Sequence, residues 1–159
     1  MRLHLASVSC LLFGAGPGLA ASLCTAGETT AFSCATPQGK IISICATRTD
    51  THYRFGRPNA IELAYPSTAR HDPKLFRHFH YFRAGAEQTS LSFTTGGATY
   101  TVFSDSDESG DQDAGVTVRT TTSKKVVTIS CARKPEANWS AIEGLVSCSP
   151  QDMNACKAP

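Results

Sequence analysis

The chain has 159 residues, with 15 Lys and Arg against 13 Asp and Glu and a formal net charge of +2. So small a basic excess argues against a nucleic-acid partner or an anionic membrane surface. Seven cysteines in a chain this short point instead to an exported protein braced by disulfides.

The first 22 residues read as a secretory signal peptide. Met1, Arg2 and His4 give a short positive start, Leu11, Leu12 and Phe13 lie in an apolar stretch, and Gly18-Leu19-Ala20-Ala21-Ser22 supplies small residues for cleavage. The apolar part is too short to cross a bilayer. No lipid-attachment pattern precedes Cys24, so the expectation is a periplasmic or secreted protein without a membrane anchor. The remainder, 23–159, is expected to be one domain, large enough to bury roughly two thirds of its unfolded surface.

Beyond the signal, a period of two dominates and no long helical stripe occurs. Strands are predicted over 29–35, 40–46, 52–55, 60–65, 75–83, 89–94, 99–104, 115–121 and 125–132. Alternation is clearest in Leu91 and Phe93, in Val116 and Val118, and in Val127, Ile129 and Cys131. Turn residues separate the runs, among them Pro37-Gln38-Gly39, Arg57-Pro58-Asn59, Tyr65-Pro66-Ser67 and Gly96-Gly97. The pattern predicts an all-β fold, a single antiparallel sandwich or barrel of about eight strands. After Pro135 it weakens into a short helix or strand around 139–145 and a tail stapled by Cys148 and Cys156.

Cys10 leaves with the signal. Cys24, Cys34, Cys45, Cys131, Cys148 and Cys156 remain, an even set that predicts three disulfides and no free thiol. Cys148–Cys156 is the expected local pair, with the other four pairing among themselves. Zinc is disfavoured, since no C-x-x-C pair occurs.

Charge is unevenly placed. Arg48, Arg54, Arg57, Arg70, Lys74, Arg77 and Arg83 fall in one segment, and Asp105, Asp107, Glu108, Asp111 and Asp113 form an acidic block. A dipolar surface of this kind suits a protein partner, and the sequence leaves a homodimer open. Asp105, Asp107, Ser109 and Gly110 match the opening of a calcium loop, with Asp111 and Asp113 following. Position twelve is Val116 where a bidentate Glu belongs, and both flanks read as strands. A calcium- or small-ligand-binding module is therefore the alternative reading, and a solvated hairpin tip the simpler one. His78 and His80 share a strand face with the i, i+2 spacing of many metal pairs, which a half-exposed aromatic strand explains equally well. No G-x-S-x-G or H-E-x-x-H motif is present. An enzyme would need a site assembled from dispersed residues such as His52, Glu62 and His78. The reading is thus a binding protein, not an enzyme, with no cofactor.

Cys24, Glu28, Phe32-Ser33-Cys34, Lys40 and Ser43-Ile44-Cys45 are followed by Tyr53-Arg54-Phe55-Gly56 and Ile61-Glu62-Leu63-Ala64-Tyr65-Pro66. With Phe93-Thr94-Thr95-Gly96-Gly97 and Tyr100-Thr101-Val102, this combination resembles small exported bacterial β-proteins related to periplasmic inhibitors of invertebrate-type lysozyme. The resemblance spans roughly 24–131. It implies a compact antiparallel β-fold that pushes a loop, carrying a Ser-Gly and a nearby Tyr, into the enzyme's catalytic cleft. Tyr100 matches the Tyr, and Gly96-Gly97 occupies the place of the Ser-Gly, where this chain has no serine. Thr95 or Thr99 would supply the hydroxyl. On this reading Tyr100 faces outward at the contact, and the acidic block beside it steers encounter with a basic lysozyme.

Overall fold

A computed structural model describes residues 22–123, 125–152 and 156. Residues 1–21 of the expected signal lie outside it. The nine predicted strands are all present: β1 (Thr29–Ala35), β2 (Ile41–Ala46), β3 (Thr51–Arg57), β4 (Ala60–Tyr65), β5 (Arg77–Arg83), β6 (Ala86–Thr95), β7 (Ala98–Ser106), β8 (Gln112–Thr120) and β9 (Val126–Ser130). Two further pieces, β10 (Glu136–Ala137) and β11 (Ser147–Cys148), are too short to carry a period and were not expected. Between them Trp139–Ile142 makes a single 3-10 turn.

The strands form a β-sandwich. One sheet runs β10-β1-β2-β3-β4 and the other β11-β5-β6-β7-β8-β9. Sequence neighbours pair as antiparallel hairpins because their connections are short. The exception to the predicted antiparallel order is β11, which lies parallel to β5. That pairing is open to it because the chain returns from the other sheet through β10 and the 3-10 turn instead of a hairpin.

β2 is buried along its whole length. Its inner side chains meet the second sheet, while the 22–24 segment covers its outer side: Leu23 N donates to Ser43 Oγ (3.0 Å) and Cys24 is bonded to Cys45. The small side chains that let this cover approach also satisfy one another, with Ser33 Oγ and Ser43 Oγ 3.0 Å apart.

Alternation sorts the sandwich interior into two halves. In the β6–β7 hairpin Phe93 opposes Tyr100, Leu91 opposes Val102, and Thr89 opposes Ser104. At the Phe93 end the rings of Tyr53, Tyr65, Phe76 and Tyr100 surround it, Tyr65 stacking at 4.5 Å and Tyr100 at 5.1 Å between centroids. Tyr53, Phe76 and Phe93 are buried, each contributing about 1.5–3 kcal/mol, while Tyr65 and Tyr100 are half-buried. The opposite end is polar, for His78, Thr89 and Ser104 are all buried there.

All six described cysteines are paired. Cys148–Cys156 is the predicted local bond, and the remaining four resolve into Cys24–Cys45 and Cys34–Cys131. The last joins β1 to the residue after β9, and so ties one sheet to the other. Three disulfides belong to an oxidising compartment. Among the described residues no helix is long and apolar enough to cross a membrane.

Candidate functional site

The β6–β7 connection is a two-residue turn, Gly96 and Gly97, with φ of +56° and +72°. Both central positions of a type I′ hairpin need positive φ, which is why two glycines close nine residue pairs here. Both are exposed, Thr95 and Thr99 are half-buried, and Thr94 Oγ1 lies 3.1 Å from Thr99 Oγ1. The tip is braced from the residue after β8, since Thr121 N and Thr121 Oγ1 both donate to Gly97 O at 2.9 Å. Tyr100 corrects the outward placement. It is an inward position of β7, half-buried, with its ring flat against Phe93 and 6.3 Å from Tyr53. Its direct partner Phe93 is a core residue, so the pleat leaves Tyr100 no other face.

The acidic block closes the β7–β8 hairpin. Asp107 Oδ1 accepts from Ser109 N (2.9 Å), Ser109 Oγ (2.5 Å) and Asp111 N (3.2 Å), and the Ser109 hydroxyl leads in holding its carboxyl below the ordinary range. Asp105 and Asp113 stand directly opposite each other on the strands. Burial pushes the Asp105 carboxyl up, and the Asp113 charge adds to the rise. The tight turn that would be a calcium loop thus uses its own donors on Asp107. Among the described residues the one grouping of three His, Cys, Asp or Glu ligand atoms is Cys24, Glu28 and Cys45, whose sulfurs already form a disulfide.

The acidic tip does not sit beside the glycine tip. The two lie at opposite ends of β7 (Ala98–Ser106), about 27 Å apart at the rise of a strand. The acidic block is therefore not part of the surface that Gly96 and Gly97 present. His52, Glu62 and His78 are not brought together either. They lie on β3, β4 and β5, in two sheets, and Glu62 pairs with Lys40 at 2.7 Å.

What the fold does assemble is a cleft at the polar end of the interior, of about 450 Å³. His78, His80, Thr89, Ser104 and Gln112 line it from the six-stranded sheet, and Trp139 from the 3-10 turn. His78 is 3% exposed, and neither ring nitrogen has a hydrogen-bond partner. Two rings lie near it at small angles to its plane, His80 at 6.5 Å and Trp139 at 6.0 Å between centroids. His80 Nε2 meets Glu87 Oε1 at 2.8 Å, and its backbone N–H donates to Asp152. Sequence reading singled out His78 and His80 but not the rest. The available signal was polar residues, Thr89 and Ser104, at inward positions in register with Leu91 and Val102.

Burial lowers the His78 pKa, His80 adds to the fall, and Asp152 and Glu143 oppose it. The unfolded imidazole takes a proton near 6.5, whereas the folded one resists it. Between those two values the unfolded state binds more protons, so stability falls as pH drops below about 6.5. His78→Leu should flatten that part of the profile, as read by urea unfolding at about pH 7 and about pH 5. An unchanged acid slope in the variant would reject this assignment. Compared with known proteins, the chain matches no family model, no curated protein and no solved structure.

Proposed function

We propose that the protein is a periplasmic inhibitor of lysozyme, most directly of the invertebrate type, which presents the Gly96-Gly97 tip to the enzyme's cleft. The observation that carries the reading is the exposed, side-chain-free turn at the end of a long hairpin, in a disulfide-braced domain that carries the resemblance over roughly 24–131. A glycosidase cleft holds two carboxyl groups, one of them protonated. Such a site is met by peptide N–H and C=O groups and by hydroxyls, and here Gly96, Gly97, Thr95 and Thr99 provide them. Glycine permits backbone approach that any side chain would block. Tyr100 supports the tip from beneath by packing on Phe93, and the acidic tip takes no part.

Gly96→Asn separates contact from folding. Asn-Gly is a preferred type I′ pair, and a Cβ at Gly96 meets nothing within 4 Å. The variant should keep its melting temperature yet inhibit about tenfold less, on the order of 1.4 kcal/mol. The test is a turbidity assay of cell-wall lysis by invertebrate, chicken and goose-type lysozymes. Failure of the native protein to inhibit any of them at micromolar concentration ends the proposal. Equal potency of Gly96→Asn removes the tip from it.

A further inference from the structure

We propose that the cleft at the opposite end of the sandwich is a binding site for a small neutral polyhydroxylated ligand, a saccharide unit, with His78 at its floor. Buried polar atoms are almost always hydrogen-bonded, and a buried side chain with two unsatisfied nitrogens needs an explanation. Neutral imidazole offers one donor and one acceptor. A hydroxyl group is both, so a polyhydroxylated ligand can meet either nitrogen whichever tautomer it holds.

The walls favour the same chemistry. Thr89 and Ser104, both buried, present hydroxyls, and Gln112 Nε2 lies 3.4 Å from Ser104 Oγ. Lys134 faces two carboxylates, Glu87 and Glu143, so the lining offers an anion no net attraction. The indole of Trp139 adds a flat apolar surface of the kind that the C–H face of a sugar ring covers. A volume of about 450 Å³ falls within the range of small-molecule sites. A metal fits less well, because His78, His80 and Glu87 do not converge as a ligand trio among the described residues. Both His78 nitrogens are sealed from solvent, so a ligand reaches them only as the side chains covering them move aside.

Trp139 is the chain's single tryptophan, which makes intrinsic fluorescence a direct readout. The mature protein is titrated separately with glucose, galactose, N-acetylglucosamine and cellobiose, and with acetate, phosphate and zinc as counter-probes. A saturable change in Trp139 emission with at least one sugar, together with perturbation of the His78 imidazole signals by NMR, is the expected result. His78→Leu should abolish it while raising the melting temperature, because an orphaned polar group is removed. Should that variant fold poorly, Gln112→Leu at the mouth provides the second test and should weaken sugar binding at least tenfold. Gly96→Asn should leave the sugar response intact, which keeps this site distinct from the lysozyme contact. No saturable response to any sugar, a response that survives both cleft variants, or a response confined to acetate, phosphate or zinc overturns the proposal.

Discussion

Replacing Cys34 and Cys131 together by alanine should lower the unfolding free energy by about 4–5 kcal/mol, the largest loss expected from any disulfide here. The bond closes a loop with a sequence separation of 97, against 21 for Cys24–Cys45 and 8 for Cys148–Cys156. Loop-closure entropy grows with the logarithm of that length, so removing the short Cys148–Cys156 loop should cost only about 2–3 kcal/mol. A domain of this size holds about 5–15 kcal/mol in all, which makes the difference decisive for folding. Loss of Cys34–Cys131 also releases β1 from the end of β9, where Ala132 N donates to Ala35 O at 2.8 Å. Urea unfolding of the two double variants gives the order directly. A smaller loss for the Cys34 and Cys131 pair than for the Cys148 and Cys156 pair would refute it.

Arg54→Met should cost about 3–5 kcal/mol, because it strands a buried carboxylate. Arg54 grips Glu28 with both nitrogens, at 2.6 and 2.9 Å, and the Glu28 side chain is only 6% exposed. Thr25 N and Thr25 Oγ1 donate to the same carboxylate at 2.6 and 2.9 Å. Burial is the largest single influence on Glu28 and opposes its ionisation, yet the bonds from Arg54 and Thr25 together bring its pKa down to about 2. The native pair therefore adds stability above about pH 4.5 that is lost as pH falls towards 2. In Arg54→Met, burial acts with the main opposing bonds removed, so mild acid should narrow the deficit relative to the parent. Replacing both residues by Met should recover much of the loss. The measurement is unfolding free energy for the parent, single and double variants at about pH 7 and about pH 4. A deficit in Arg54→Met that does not shrink on acidification would show that Glu28 is not the source of the loss.

Strands were the most legible part of the sequence. A half-buried strand writes its faces into alternate residues, and the two-residue glycine turn fixes its own hairpin, so the placement of β1 to β9 needed no tertiary information. Tyr100 was misplaced although the same alternation fixes it: Phe93 is inward, the turn sets the register, and Tyr100 must follow. The expectation for that residue came from the resemblance and overrode the pleat. The separation of the two tips was equally readable, since a nine-residue strand lies between them. The His78 cleft was not readable. His78, Ser104, Gln112 and Trp139 meet only because the chain crosses back after β9 and lays a 3-10 turn over the sandwich end. Such a path leaves no local period. The pairing of Cys24, Cys34, Cys45 and Cys131 was hidden for the same reason, since strand order decides which of these thiols meet, whereas Cys148–Cys156 is local and was legible.

Every turn between successive strands from β1 to β9 falls between Cys34 and Cys131. The greater part of the sandwich is therefore a covalent ring, with both chain ends as tails upon it. A single proteolytic cut within the ring, at Gly96-Gly97 or across the exposed 107–111 tip, opens the ring without dividing the molecule. The two pieces stay joined through one sulfur–sulfur bond and through the hydrogen-bonded strands on either side of the cut. Where the disulfide stays oxidised, this architecture lets the protein be nicked at its most accessible points and still persist as one body.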